Sequence, residues 1–208
     1  MMAEQPDILL QAECLSCVRD DRVLFEALDF QLKPGQVLLL EGKNGSGKTS
    51  LLRILCGFRE PDTGQVLWCG DTLNDGQYYA DMAYVGHLDG VKKELTVLEN
   101  LKVSLALSRV GHYSIEQALE KVKLAGYDDV LVQALSAGQK RRLSLARLLI
   151  TQNRIWILDE PFTSLDKQGI ALIETLMIEH CTHGGMIVLT SHHEINLPAV
   201  EIQRIPLS

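Results

Sequence analysis

The segment Gly42–Thr49, with the sequence GKNGSGKT, constrains the fold of this chain more than any other stretch. The apolar run at 37–40 before it predicts a buried strand, and apolar residues at helical spacing from Leu51 to Leu55 predict a helix that Gly57 ends. A glycine-rich loop between a strand and a helix binds phosphate, because its backbone N–H groups converge on the anion and the helix N-terminus adds partial positive charge. The alternative is a chance glycine-rich turn, which the flanking strand and helix disfavour.

The loop also assigns chemistry to individual side chains. We expect Lys48 to reach the β- and γ-phosphates of a nucleoside triphosphate, and the Thr49 hydroxyl to ligate Mg²⁺. The expected nucleotide-binding residues of this segment are Gly42, Lys43, Asn44, Gly45, Ser46, Gly47, Lys48, Thr49 and Ser50.

Length and charge narrow the class of protein. The 208 residues fit one domain, and a net charge of −7 argues against a general nucleic-acid binder, which is usually basic. No apolar stretch approaches the ~18 residues of a transmembrane helix, and the segment 1–7 lacks the basic start and apolar core of a signal peptide. Five cysteines, an odd number, indicate a reduced, cytosolic setting. We therefore expect no nucleic-acid partner and no direct membrane insertion.

Two short motifs have the spacing of metal ligands. Two residues separate Cys14 from Cys17, which suits a redox pair or half of a metal site, but no second pair accompanies them and the segment has the pattern of a strand. His180 and His183 have the same spacing, but they lie at the predicted end of a helix before Gly184. A structural role is the favoured interpretation for both pairs.

The N-terminal part of the chain is rich in predicted strands. Turn residues at 20–21 and 61–64 separate β-rich segments, and the segment 28–32 alternates apolar and polar residues as a half-buried strand does. The predicted strands lie at 8–19, 23–32 and 65–69. We expect them to form an antiparallel layer beside the nucleotide core.

After the N-terminal strands, the rest of the chain alternates between predicted strands and helices, and a helical insertion interrupts this alternation. Capping-box patterns, Thr96 with Glu99 and Ser114 with Gln117, precede apolar helical repeats. Strands are predicted at 82–85, 154–158 and 186–190, a helix at 167–180, and a short tail to the C-terminus. We therefore predict an α/β protein with a single domain, 1–208, made of a nucleotide-binding core at about 1–86 and 154–208 and a helical subdomain at about 87–153.

Asp159 and Glu160 end the apolar segment Ile155–Leu158. In phosphate-loop folds the carboxylate at the end of such a strand meets Mg²⁺ directly or through water, a role that we assign to Asp159. Glu160 would orient and deprotonate the water that attacks the γ-phosphate. Acidic residues are also common where a helix begins, but the phosphate loop in the same chain favours the catalytic interpretation.

The segment Leu135–Gln139, LSAGQ, opens a predicted long helix. Ser136 and Gln139 form a capping-box pattern. On the simplest interpretation this is a well-capped helix, with the basic run 140–142 on a solvated face. On the functional interpretation, Ser136 and the helix N-terminus bind a γ-phosphate.

Taken in order, these segments resemble the motifs of ATP-binding cassette ATPases, and the resemblance covers nearly the whole chain. Gly42–Thr49 is similar to the Walker A loop, and Asp159 and Glu160 are similar to the Walker B acid and the catalytic glutamate. Further matches are the signature residues Ser136, Ala137, Gly138 and Gln139, the D-loop residues Ser164, Leu165 and Asp166, and the switch histidine His192, which the resemblance makes catalytic.

The resemblance implies a P-loop fold of the ABC-ATPase type, with a RecA-like mixed sheet core, an N-terminal antiparallel β layer and an inserted α-helical subdomain. It also implies hydrolysis of ATP with Mg²⁺, held by Thr49 and Asp159, in a homodimer or pseudo-dimer. In such a dimer each ATP lies between the Walker A loop of one copy and the signature helix of the other.

Three positions depart from the family pattern. His87 stands in place of the Q-loop glutamine, and histidine is a poorer Mg²⁺ ligand. The aromatic residue that stacks on adenine is missing near Val18, and we expect Arg19 to contact the base through its guanidinium plane. Lys43 replaces the usual proline after the first glycine, where it either contacts phosphate or remains solvated.

Within the family, the chain resembles the ATP-binding subunits of bacterial cytochrome c maturation systems. The matching segments are Tyr84–His87, Leu98–Leu101, Cys17–Arg22, 135–142 and 156–163. This resemblance implies a peripheral ATPase on the cytoplasmic face of the inner membrane, which works with integral membrane subunits in haem export or in the release of a haem-loaded chaperone. The alternative is the ATPase subunit of another small ABC transporter.

Two other classes of protein are less consistent with the sequence. Soluble cassette ATPases of DNA repair or translation usually carry long coiled coils or a second cassette, and this acidic chain shows neither pattern. A degenerate cassette that binds ATP only as a scaffold would not be expected to retain Lys48, Asp159, Glu160 and His192 together.

Overall fold

The computed structural model describes residues 10–73 and 76–208. In chain order the elements are β1 (Leu10–Arg19), β2 (Arg22–Leu32), β3 (Gln36–Glu41), α1 (Lys48–Leu55), β4 (Thr63–Trp68), β5 (Asp71–Thr72), α2 (Gly76–Asp81), β6 (Met82–Val85), α3 (Val97–Ala106), α4 (Ile115–Lys121), a 3₁₀ turn (Val132–Ala134), α5 (Ala137–Ile150), β7 (Ile155–Asp159), α6 (Lys167–Thr182), β8 (Met186–Thr190) and β9 (Glu201–Pro206). The segment 1–7 and the predicted strand residues 8–9 lie outside the described residues.

The described strands form two sheets. An antiparallel sheet has the order β2-β1-β4-β5, which confirms the predicted N-terminal layer. The second sheet has the order β6-β7-β8-β3-β9, and all its described pairings are parallel. The predicted α/β fold, with antiparallel and parallel strands and a helical insertion, is therefore confirmed.

The parallel sheet separates two apolar cores. Val37 and Leu39 face one core while Leu38 and Leu40 face the other, because successive side chains of a strand point to opposite faces. Burial on both faces explains why these strands are continuous apolar runs in the sequence. One core contains α1 and the inner face of the antiparallel sheet, and the other contains the helical insertion and α6. Since β3 and β7 are parallel, the loop after β3 and the acids at the end of β7 meet at one edge of the sheet.

The helical insertion confirms the predicted caps. The side chains of Thr96, Ser114 and Ser136 each accept a hydrogen bond from the backbone N–H three residues later, and each helix has the reciprocal bond of a capping box. A capping box satisfies backbone N–H groups that otherwise lack an intrahelical partner. The pattern therefore fixed the first residues of α3, α4 and α5.

Two expectations about strands were wrong. The C-terminal tail contains β9, which pairs in parallel with β3 at the edge of the sheet. Because an edge strand is half exposed, β9 contains polar residues, and these obscured the strand pattern in the sequence. The predicted turn at 61–64 ends earlier, since Thr63 already pairs with Ser16 of β1.

Candidate functional site

The loop after β3 has a backbone that few residues other than glycine could adopt. A Cβ atom at Gly42 would lie 2.3 Å from the carbonyl oxygen of Leu207, and Gly47 has a φ of +101°. Gly47 is also the N-cap of α1 and contributes no capping side chain. The first N–H groups of α1 therefore remain open to an anion such as phosphate.

Lys48 is directed into the curve of this loop. Its Nζ atom donates hydrogen bonds to the carbonyl oxygens of Gly42, at 2.6 Å, and of Lys43, at 3.2 Å. Lys48 is only 8% exposed. The ammonium group thus lies where the loop would enclose phosphate oxygens, whereas the side chain of Lys43 is exposed.

Asp159 and Thr49 offer oxygen atoms that suit Mg²⁺. The Thr49 hydroxyl donates to Asp159 Oδ2 at 3.3 Å, and the Thr190 hydroxyl donates to Asp159 Oδ1 at 2.8 Å. The described residues contain no cluster of three or more His, Cys, Asp or Glu side chains that could hold a metal alone. Mg²⁺ commonly needs only one or two carboxylates in addition to substrate phosphates and water. This donor set therefore fits Mg²⁺ brought in with a nucleotide.

Glu160 adopts a left-handed backbone conformation, with a φ of 52°. Such a conformation costs about 1–3 kcal/mol for a residue other than glycine and persists only where neighbours fix it. Here the Glu160 N–H donates to the Thr190 hydroxyl at 2.9 Å. The carboxylate faces His192, whose Nε2 lies 3.4 Å from Glu160 Oε1 and whose N–H donates to Oε2 at 3.3 Å. His192 Nε2 also lies 3.1 Å from Asn44 Oδ1.

A cleft of about 530 Å³ brings most of the predicted nucleotide-site residues together. It is lined by Arg19, Leu24, Asn44, Gly45, Gly47, Lys48, Thr49, Ser50, His87, Asp159, Glu160, Thr163 and His192. Leu24 and Thr163 were not predicted as site residues: Leu24 belongs to no motif, and Thr163 was noted only as the end of the matching segment 156–163. The position of Arg19 in the lining is consistent with the expected contact to the base.

The signature residues lie in a different cleft. It is lined by Ser136, Ala137, Gly138, Gln139, Arg142, Ser164, Leu165 and Asp166. A Cβ atom at Gly138 would lie 2.9 Å from the carbonyl oxygen of Ser164, so the predicted signature and D-loop are in direct contact. This cleft and the phosphate-loop cleft share no lining residue.

Arg141 is a further candidate residue. The simplest interpretation of α5 put the basic run 140–142 on a solvated face, and for Arg141 that interpretation was wrong. Its side chain is 3% exposed. Burial lowers the pKa of its guanidinium, and the nearby Asp89 carboxylate partly opposes this shift. Arg141 shares a helical face with Leu145 and Leu148, both buried, and this i, i+4, i+7 spacing could have predicted its burial.

The two short motifs with the spacing of metal ligands lie in different surroundings. Cys14 is exposed, Cys17 is buried and both thiols are free. The His180 ring stacks on the Trp156 ring with 3.8 Å between centroids, and burial lowers the pKa of His180 to about 4. A structural role for both pairs stays a prediction.

Comparisons with known proteins agree with this geometry. A family model described as "ABC transporter" matches residues 25–163. A protein of Photobacterium profundum named "Cytochrome c biogenesis ATP-binding export protein CcmA" is 43% identical over 96% of this chain and 99% of its own length. A protein of the same name from Methylococcus capsulatus is 48% identical over 92% of this chain and 94% of its own length.

Solved structures show the same fold. An ABC transporter ATP-binding protein from Pyrococcus furiosus has a TM-score of 0.82 at 24% identity, covering 95% of this chain and 96% of that one. An ATP-binding cassette in its ADP conformation has a TM-score of 0.77 at 22% identity, covering 95% of this chain and 87% of that one. The two-sheet architecture with a helical insertion is therefore that of known ATP-binding cassettes.

Proposed function

We propose that two copies of this chain hydrolyse ATP in a head-to-tail arrangement, for a membrane complex of cytochrome c maturation. The chain belongs to the ABC transporter family and, within it, to the ATP-binding export proteins of cytochrome c biogenesis. The chain is an ATP-hydrolysing subunit of a transporter complex with membrane partners. None of its described helices is long and apolar enough to cross a membrane. What we propose is that two copies form each ATP site together and that the complex acts in cytochrome c maturation.

The observation that carries the two-copy arrangement is the separation of the two clefts. Phosphate-binding groups line one cleft, and the N-terminus of α5 with Ser136 lines another with no residue in common. A helix N-terminus favours an anion, and the phosphate-binding groups of the same copy line the other cleft. A second copy in a head-to-tail arrangement would supply a nucleotide to the α5 N-terminus, and two-fold symmetry would form two such sites.

Within each site the residues divide the chemistry. Lys48 and the N–H groups of the loop bind the β- and γ-phosphates. Thr49 and Asp159 would hold Mg²⁺, which when bound would neutralise the charge that develops on the phosphates. A water oxygen attacks the γ-phosphorus, the bond to the bridging oxygen of ADP breaks, and Glu160 accepts the proton of the water. His192 holds the Glu160 carboxylate, with which it already makes contact.

The proposed setting is the cytoplasmic face of the inner membrane, where the chain binds integral membrane subunits peripherally. The relatives are named as ATP-binding export proteins of cytochrome c biogenesis. We propose that hydrolysis drives haem export or the release of a haem-loaded chaperone. The alternative is the same chemistry in another small ABC transporter.

Complementation in cells separates these two functions. The chain is expressed in a bacterium that lacks its own copy of this subunit, and covalently attached haem in c-type cytochromes is measured by haem staining. We expect the wild-type chain to restore staining and Glu160→Gln, expressed at the same level, to fail. A wild-type chain that reaches the membrane and hydrolyses ATP but restores no staining would favour the alternative transporter.

A further inference from the structure

Arg141 joins three parts of the candidate site through a single guanidinium group. Its Nε donates to the carbonyl oxygen of Pro161 at 3.0 Å, and one terminal nitrogen donates to the carbonyls of Asp159, at 3.0 Å, and Glu160, at 2.8 Å. The other terminal nitrogen donates to the Gly86 carbonyl at 2.8 Å and to Asp89 Oδ1 at 3.4 Å. Arginine has five N–H donors in a fixed fork, so these acceptors use all of them.

Three of these acceptors are consecutive carbonyls in the turn that carries Glu160. The Glu160 N–H is bound by the Thr190 hydroxyl and its carbonyl oxygen by Arg141. The left-handed backbone of Glu160 is thus fixed from both sides. Since the backbone conformation sets the direction of the side chain, Arg141 and Thr190 aim the carboxylate at the cleft.

The remaining acceptors, Gly86 and Asp89, flank His87, which lines the nucleotide cleft. Arg141 itself lies on α5, the helix that Ser136 caps. A movement of α5 or of the loop around His87 would therefore be transmitted through Arg141 to the turn at 159–161. The guanidinium connects the helical insertion with the nucleotide core at the place where hydrolysis is proposed.

We infer that Arg141 is a positioning residue for Glu160, which holds the carboxylate in its productive direction and makes that direction depend on the position of α5 and the His87 loop. The inference rests on the proposed role of Glu160 as the proton acceptor. Lysine offers three donors from one atom and glutamine offers two, so neither can satisfy all the acceptors that the planar fork reaches.

ATPase kinetics of Arg141→Gln and Arg141→Lys test the inference. We expect Arg141→Gln to lower kcat about 10- to 100-fold with KM for ATP changed less than about twofold, because small misplacements of a reacting group cost rate on this scale. Arg141→Lys keeps the charge and some donors, so its kcat is expected to lie between that of the wild-type chain and that of Arg141→Gln. Lys140→Gln is the matched control, because the Lys140 side chain makes no hydrogen bond or ion pair with the described part of the chain, and it is expected to keep the wild-type kcat.

A double-mutant cycle distinguishes positioning from general destabilisation. If Arg141 acts through Glu160, adding Arg141→Gln to Glu160→Gln lowers kcat by less than about twofold further. Fully additive losses, or wild-type kcat in both Arg141 variants, would overturn the inference. A wild-type rate in Glu160→Gln alone would instead contradict the role of Glu160. Thermal unfolding checks each variant, and if Arg141→Gln does not fold, Arg141→Lys is used in the same cycle.

Discussion

Glu160 combines a strained backbone with a carboxylate whose Oε1 atom is buried and accepts no hydrogen bond. The nearest partner of that oxygen is His192 Nε2, at 3.4 Å. A buried acceptor without a hydrogen bond is costly to keep unless it serves a function. An oxygen atom kept free of protein donors in this way fits the proposed role of Glu160 as the proton acceptor.

Replacing Glu160 by glutamine should separate ATP binding from hydrolysis. The amide is nearly isosteric but cannot accept the proton, so phosphate release should fall about 10²- to 10⁴-fold. Lys48, Thr49 and Asp159 are unchanged, so Mg-ATP should still bind. Removing one negative charge near ATP reduces like-charge repulsion, which should prolong the life of the dimer.

Phosphate release and size-exclusion chromatography with and without Mg-ATP measure these two effects. Glu120→Gln, at an exposed position of α4, is the control and should behave as the wild-type chain. If Glu160→Gln released phosphate at the wild-type rate, Glu160 would not be the base and His192 would become the residue to examine.

At the residue scale, the sequence predicted the groups that belong to continuous motifs. The loop at 42–49 and the Asp159–Glu160 pair, which the folded chain brings to one cleft, could be identified as candidates because motifs of this kind need adjacent residues in a fixed order. Arg141 could not be placed in the same way, because its acceptors lie 18 to 20 and 52 to 55 positions away in the sequence. Only the folded chain brings those carbonyl groups to one point.

At the element scale, α6 packs on the parallel sheet through a histidine. The His180 ring stacks on Trp156 of β7, and a Cβ atom at Gly185 would lie 2.2 Å from His180 Nε2. Burial lowers the pKa of His180 to about 4, and the nearby His183 adds to this. The ring is therefore neutral in the folded chain at neutral pH.

This burial predicts a pH dependence of stability. In the unfolded chain His180 binds a proton below its ordinary pKa of 6.5, whereas in the folded chain it does so only near pH 4. The free energy of unfolding should therefore fall as the pH drops from about 6.5 towards 4. The contribution lost between pH 7 and 5 is roughly 1–2 kcal/mol. His180→Phe keeps an aromatic ring and removes the titration, so its stability should depend less on pH.

Urea unfolding of the wild-type and His180→Phe chains at pH 7, 6 and 5 measures the difference. His112→Phe, at an exposed position, serves as the control and should retain the wild-type dependence. Parallel pH profiles for the wild-type and His180→Phe chains would show that His180 is not a buried neutral group.

Elements with a strong pattern were predictable, and weakly patterned ones were not. The three capping boxes and the apolar strands β3, β6, β7 and β8 carry local signals, so the sequence located them closely. By contrast, β9 joins the sheet through backbone pairing with β3, and its alternation is blurred by polar residues at the exposed edge. The formation of β9 depends on the presence of β3, and a local sequence pattern cannot predict this dependence.

At the scale of the whole molecule, one copy has two clefts with no lining residue in common, which we propose are the two halves of an ATP site. The phosphate loop and the acids form one half, and Ser136 with the segment Ser164–Asp166 forms the other. The central claim is that two copies bring these halves together around each ATP. A variant that damages one half should therefore be complemented by a variant that damages the other.

Mixing Lys48→Ala with Ser136→Arg tests this claim most directly. Lys48→Ala removes the charge that binds phosphate, and Ser136→Arg removes a helix cap and blocks the α5 N-terminus, so each variant alone should hydrolyse little ATP. Ser136→Arg should still bind ATP as a monomer, and a titration of its ATP affinity is the control. In a mixed dimer, the intact loop of one copy meets the intact α5 N-terminus of the other.

The measurement is the rate of phosphate release by an equal mixture of the two variants, combined before Mg-ATP is added. Random pairing gives one intact site in half of the dimers, so the account predicts recovery to about a quarter of the wild-type rate. A mixture that releases phosphate no faster than the average of the two separate variants, although mixed dimers form, would contradict a site shared between two copies.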